Sequence, residues 1–227
     1  MARPGFVVAV DGPSGVGKSS ASRGLARRLG FRHVDTGAMY RAVALLAADR
    51  GIAATDAAGL VALARELLFA FEDREDGVAR VLVSGRDVTA EIRRPEIGQL
   101  ASTVSMHPGV RQHLVGAQRA LAAGSDLVME GRDIGTVVFP NAPVKFFLSA
   151  DPGARAARRV KELRERGLDT DQAKVEAEQL ERDNRDSSRA HAPLRPAEDA
   201  IVLDTTMLTL EEVIWAMEEA VARCRPR

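Results

Sequence analysis

Residues 12–19, Gly12-Pro13-Ser14-Gly15-Val16-Gly17-Lys18-Ser19, satisfy the pattern GxxxxGK[ST] at every fixed position. Glycines at this spacing let successive backbone amides turn toward one anion, and the helix that follows adds its own unpaired amides and positive dipole end. A lysine in the seventh place reaches the terminal phosphates of a nucleotide. The hydroxyl of Ser19 is placed to meet a magnesium ion that neutralises those phosphates and keeps water in most of its other positions. Together with Ser20, the segment reads as an ATP-binding loop.

Three further groups carry chemistry. Glu130 closes the apolar run Leu127-Val128-Met129, and a carboxylate at a strand end is a way to hold the water shell of such a metal, so Ser19 and Glu130 form the expected metal side. Asp35-Thr36-Gly37-Ala38-Met39-Tyr40-Arg41 also follows a strand-like run and holds the chain's single tyrosine. There Arg41 is suited to an acceptor phosphate and Tyr40 to stacking or hydrogen bonding beside it. Arg182, Asp186 and Arg189 stand at i, i+4 and i+7, a spacing that puts three side chains on one face of a helix. Alone, such a stripe reads as a solvated salt-bridge ladder. It gains interest from the run Arg155–Arg166, whose six cations outnumber Glu162 and Glu165 and could offset charge spread over a transferring phosphoryl group.

These residues need a scaffold, and the apolar pattern supplies one. Phe6-Val7-Val8-Ala9-Val10 reads as a strand buried on both faces, and Ser19–Leu29 as a helix stopped by Gly30. Residues 31–34 and 38–48 repeat strand and helix, the alternation of a parallel sheet. From Asp56 the pattern changes. A capped helix over 56–67 leads to two closely joined strands, 68–72 and 78–83, across Asp73-Arg74-Glu75-Asp76-Gly77, with a third short piece at 86–89. This predicts a small antiparallel insert. Helices follow over 95–104 and 110–122, broken by His107-Pro108-Gly109, and strands return at 127–129, 144–148 and 201–203 before a last helix over 210–224.

The 227 residues suit one domain carrying an insertion. Hydrophobic residues make up 45% and charged residues 28%, a globular balance. Lys plus Arg equals Asp plus Glu at 32 each, so no net charge draws the chain to nucleic acid, and aromatic residues reach only 4%. No run is long enough to span a bilayer, and the start lacks a signal-peptide core, so a cytoplasmic location is expected. The one cysteine, Cys224, excludes an internal disulfide, and the four histidines have no ligand-like spacing. The Asn-Lys-x-Asp base-reading signal of small GTPases is missing.

In DGPSGVGKSS, DTGAMYRAVAL, EGRDIGTVVFP, ERDNRDSSR and APL the sequence resembles the bacterial cytidylate kinases, nucleoside monophosphate kinases that move phosphate from ATP to CMP or dCMP. The likeness runs from about Val7 to about Met217. It implies an α/β, P-loop NTPase-type fold: a parallel five-stranded sheet flanked by helices, with a small antiparallel nucleotide-binding insert and a helical lid. One kinase domain over 1–227 is implied, its core about 1–55, 105–150 and 195–227, its insert about 56–104 and its lid about 151–190. It further implies Mg²⁺ with ATP as donor, a monomer, and no nucleic-acid or membrane partner.

By the same resemblance, Thr36, Tyr40, Arg41, Ser102, Arg111, Arg132, Asp133, Arg182, Asp186 and Arg189 map to CMP-binding positions, and Arg158 of the lid to ATP. Lys18, Arg41, Arg132 and Arg189 are the expected catalytic cations. Cytosine offers an amino donor where uracil has a carbonyl, so Asp133, helped by Ser102, favours cytosine. Arg111 is suited to the ring nitrogen and carbonyl, and Asp186 with Arg182 to the sugar. The sequence departs from the family at Thr36, where some relatives carry Ser, and at Ser19-Ser20, where others carry Gly-Thr. The alternatives are a P-loop kinase for UMP, AMP or a small metabolite, or a nucleotide-binding module without transferase activity.

Overall fold

A computed structural model describes residues 5–72, 74, 79–165 and 167–225. The chain order is β1 (Val7–Asp11), α1 (Lys18–Leu29), β2 (Arg32–Asp35), α2 (Thr36–Asp49), α3 (Ala57–Glu66), β3 (Phe69–Glu72), β4 (Arg80–Val83), β5 (Arg86–Asp87), α4 (Pro95–Val104), α5 (Pro108–Leu121), β6 (Leu127–Glu130), β7 (Val144–Ser149), α6 (Pro152–Glu165), α7 (Gln172–Ser187), β8 (Ile201–Asp204) and α8 (Leu210–Cys224). A π-helical turn, Ile134–Val138, lies between β6 and β7. The expected five-stranded parallel sheet is present in the order β2-β6-β1-β7-β8, and the expected insert is the antiparallel sheet β3-β4-β5.

Two compact units divide the chain, residues 31–127 and residues 6–30 with 128–225. In the second, β7 lies parallel to both β1 and β8, with Val10 opposite Phe146 and Phe147 opposite Val202. Val8, Ala9, Val10, Val128, Met129 and Leu148 have no exposure, which accounts for strands that read as unbroken apolar runs. Helix α1 approaches α8 at Gly24, where a Cβ would lie 2.3 Å from Ile214 Cδ1. Helices α6 and α7 share their own small core of Ala156, Val160 and Val175, flanked by Leu163. In the first unit α2 packs on α4 and α3 on α5, around Met39, Leu60, Leu63, Ile92 and Leu114.

Caps set most helix starts. Asp35 accepts from the amide of Ala38, Asp56 from that of Gly59, and Thr209 with Glu212 forms a reciprocal capping box. Two local expectations change, and one turn was not foreseen. The break between α4 and α5 falls at 105–107, and α5 starts two residues earlier than expected because Pro108 takes its first helical position, where the missing amide costs nothing. Helix α7 ends at Ser187, so Arg189 lies beyond it rather than on its face. The segment after Asp133 is a π-turn, with amides of Val138 and Phe139 bonded five residues back to Asp133 and Ile134. Except for Arg74, the expected turn 73–77 lies outside the described residues, as do Val78 at the expected start of the next strand and Arg166 at the end of the cation run. No helix among the described residues is long and apolar enough to cross a membrane.

Candidate active site

The phosphate loop leaves β1 at Asp11 and enters α1 at Lys18. Gly12 has φ +145°, and a Cβ there would stand 2.2 Å from the carbonyl oxygen of Leu148 on β7, so only glycine lets the loop turn against that strand. Gly17 precedes α1 without a side-chain cap, leaving the helix amides to whatever anion enters. Lys18 is buried, and its ammonium donates to the carbonyl of Pro13 at 2.5 Å. Burial first, and then the Arg132 guanidinium, hold its pKa well below that of an ordinary lysine, despite the opposing pull of Glu130.

Glu130, 3% exposed at the end of β6, accepts a hydrogen bond from the Ser19 hydroxyl at 2.8 Å. The two residues named from the sequence as the metal side therefore meet. Their donors are a hydroxyl and a carboxylate, hard oxygens suited to a magnesium ion that keeps water and phosphate oxygens as its remaining ligands. Among the described residues no cluster of three or more His, Cys, Asp or Glu offers a fuller cage.

A cation cluster follows β6. Arg132 donates from Nε to Asp186 Oδ2 at 3.0 Å and from Nη1 to the carbonyl of Gly131 at 3.2 Å, while Arg189 bonds the other oxygen of Asp186. Asp186 is 2% exposed. Burial alone would raise its pKa, but Arg132, Arg189 and Arg182 outweigh burial and hold it below the usual aspartate value. The two arginines of the sequence stripe thus join Arg132 around the stripe's one carboxylate, Asp186, although Arg189 stands outside the helix.

Helices α6 and α7 also grip the loop, through Arg155 and Arg158 of the cation run and through Asp183 and Gln179, which the sequence did not single out. Arg155 donates to the carbonyl of Ser14 at 3.1 Å and pairs with Asp183. The amide of Gln179, itself buried, has no hydrogen-bond partner at either end among the described residues and lies beside Gly15. Arg158, expected at ATP, donates to the hydroxyl and carbonyl of Thr205 and to the carbonyl of Thr206; the Thr205 hydroxyl in turn donates to the carbonyl of Val16. Its link to the loop is through Thr205.

Gly15, φ +80°, sits where these helices touch the loop: a Cβ would lie 2.7 Å from Gln179 Nε2 and 3.1 Å from Arg155 Cβ. Gly15→Ala is therefore expected to raise KM for ATP about tenfold, since it costs both the left-handed backbone and the close approach, a strain on the order of 1–3 kcal/mol. Steady-state kinetics with ATP varied at fixed acceptor check this, and an unchanged KM contradicts it.

The residues expected from the other unit also assemble. Arg41 bonds Asp35 Oδ2 at 2.6 Å; burial is the largest single influence on Asp35 and raises its pKa, but Arg41, His33 and the Ala38 amide together outweigh it and hold the pKa below the usual value. The Arg111 guanidinium stands 5.7 Å from the centre of the Tyr40 ring, within cation–π range, and donates to the carbonyl of Ser105 at 3.4 Å. Thr36 and Ser102 are buried, on α2 and α4. Asp35, absent from the expected set, caps α2 and holds Arg41; its place before Thr36 was its only signal.

A family model described as Cytidylate kinase matches residues 8–223. A cytidylate kinase of Geobacter sp. (strain M21) is 52% identical over 217 residues, covering 96% of this chain and 93% of that protein. One from Pelotomaculum thermopropionicum is 47% identical over 207 residues, covering 91% and 92%. Among solved structures, an uncharacterized protein from Eubacterium ventriosum shares the fold at TM-score 0.52 and 11% identity, over 96% of this chain and 98% of that one.

Proposed function

Since the chain belongs to the cytidylate kinase family, we infer that it transfers the γ-phosphate of ATP to CMP or dCMP, giving CDP or dCDP. The observation that supports this most is the family match over residues 8–223 on a chain whose phosphate loop, buried Lys18 and Ser19–Glu130 pair stand assembled.

In this reading residues 12–20 bind the triphosphate, and Arg158, through Thr205 and Val16, orders the loop's outer edge for ATP. A phosphate oxygen of CMP is already a nucleophile at neutral pH, so no side-chain base is required and the enzyme's work is alignment and charge neutralisation. Lys18, Arg41, Arg132 and Arg189 are the cations that meet the transferring and acceptor phosphates. Ser19 and, through water, Glu130 would hold Mg²⁺, which when bound offsets the phosphate charge. Thr36, Tyr40, Ser102, Arg111, Asp133, Arg182 and Asp186 bind CMP, with Asp133 and Ser102 reading the cytosine amino group. We assign residues 151–190 as the lid that excludes water, and 56–104 as the nucleotide-binding insert of a single kinase domain. The enzyme acts as a cytoplasmic monomer on free nucleotides.

Turnover on a panel of acceptors tests the reading: CMP and dCMP should exceed UMP, AMP and shikimate, and ADP should form only when an acceptor is present. Better turnover of AMP or shikimate, or ADP release indifferent to CMP, contradicts it. Within the same panel, Asp133→Ala is expected to cut the CMP to UMP preference by about 10–100-fold, since one good base contact is worth ~1–3 kcal/mol of discrimination. Equal losses on both acceptors refute that role.

A further inference from the structure

Asp11, the last residue of β1, has a duty that neither the phosphate loop nor the cation cluster explains. It is 4% exposed, and its two carboxylate oxygens accept separate backbone hydrogen bonds, Oδ1 from the amide of Ile134 and Oδ2 from that of Gly135, both at 2.8 Å. Those are the first amides of the π-turn, donors that a cap residue ordinarily satisfies. Asp133 occupies the cap position and is of a residue type that caps well, yet makes no cap bond with its side chain. The capping has passed to a carboxylate at the end of β1, the strand beside β6, from which the turn leaves.

The other side of the turn is fixed too. A Cβ on Gly135 would lie 3.2 Å from Lys145 Cδ and 3.4 Å from Asp11 Oδ2. Lys145 is itself buried, paired with both oxygens of Asp199 at 2.8 Å and bonded to the carbonyl of Pro140. The turn is thus clamped between Asp11 and Lys145, and the two residues that enter it are Arg132 and Asp133.

The two amides go to separate oxygens, Oδ1 and Oδ2, both of which accept in aspartate, whereas asparagine at the same place offers one acceptor and one donor. The charge is kept against its surroundings: burial pushes Asp11 up to about 6, with Asp133 adding to the rise and the two amides and Lys18 opposing it. An unneeded buried carboxylate at this cost has no structural advantage over a neutral residue.

We propose that Asp11 is a positioning residue for the acceptor nucleotide: by holding the amides of Ile134 and Gly135 it sets the direction in which Arg132 and Asp133 present their side chains, and so contributes to CMP binding and to cytosine selection without touching CMP. This rests on the reading that Arg132 and Asp133 meet CMP.

The test is Asp11→Asn in the full chain. Amide hydrogen exchange at Ile134 and Gly135 should speed up by about tenfold, the loss of one hydrogen bond of roughly ordinary strength. KM for CMP should rise about tenfold and the CMP to UMP preference should fall with it, as displacement of positioning groups does, while KM for ATP changes by less than about twofold. Faster exchange with CMP binding and base preference intact overturns the proposal, as does a rise in KM for ATP equal to that for CMP, which would place the effect in the phosphate loop. Gly135→Ala keeps Asp11 and crowds the same turn, so it decides the matter if Asp11→Asn does not fold: the same split between CMP and ATP is expected, and equal losses on CMP and UMP refute it. Failure of the unaltered protein to phosphorylate CMP would instead be failure of the functional reading.

Discussion

Lys18→Met is expected to lower kcat by about 10²–10³-fold, the scale of removing one charged group aimed at a developing transition-state charge, while leaving the melting temperature unchanged or higher. The two effects diverge because of where the ammonium sits. Lys18 is buried, its strongest hydrogen bond is to a neutral carbonyl, and Arg132 and Arg182 repel its charge. In the absence of a bound anion the charge costs the fold more than it returns, and methionine fills the same volume without it. Once a triphosphate occupies the loop, the same burial strengthens the attraction between Lys18 and the transferring phosphoryl group. Steady-state turnover and thermal unfolding of the variant check both halves. A kcat within tenfold of the parent, or a clearly lower melting temperature, contradicts this account.

Asp186→Ala should have the largest effect on stability, about 3–5 kcal/mol, because it strands buried cations rather than removing a surface pair. Arg132 and Arg189 both bond this carboxylate, and the Asp186 and Arg189 side chains are 2% and 5% exposed. Loss of the acid also frees Arg132 to reorient, so kcat/KM for CMP should fall at least about a hundredfold, as a displacement of about an ångström can cause. Urea unfolding and CMP kinetics measure the two; a variant as stable as the parent sinks the prediction.

The pH dependence separates Asp186 from Asp11, because their shifts have opposite sign. The Asp186 pKa is lowered from 3.8, so its contribution to stability is present above the unfolded value and is lost as pH falls through the lower folded one. For Asp11 the folded value is raised from 3.8 to about 6, so its contribution is full below 3.8 and is lost as pH rises through 6. Unfolding free energies between pH 4 and 7 should therefore decline less in Asp11→Asn than in the parent, whereas the Asp186 variant falls furthest below the parent above pH 4 and converges with it as pH drops below the unfolded value. Identical pH profiles for the parent and both variants contradict the assignment.

Much of this protein is encoded in short stretches and needs no tertiary information. The phosphate loop is eight contiguous residues between an apolar run and a helix, so its anion-binding amides follow from local backbone geometry alone. The unbroken apolar strands and the capped helices follow for the same reason, as their signals lie within one or two turns of chain. Ser19 and Glu130 were separately recognisable by position at a helix start and a strand end, and their meeting at 2.8 Å follows from both ends facing the same edge of a parallel sheet. Only tertiary structure decided which distant groups share a bond. Asp11 reaches amides 123 and 124 residues away, Arg155 reaches the Ser14 carbonyl 141 residues back, and Arg132 reaches Asp186 54 residues on. Such pairings depend on strand order and on how closely helices approach a loop, quantities set by packing of the whole core, and no spacing along the chain contains them.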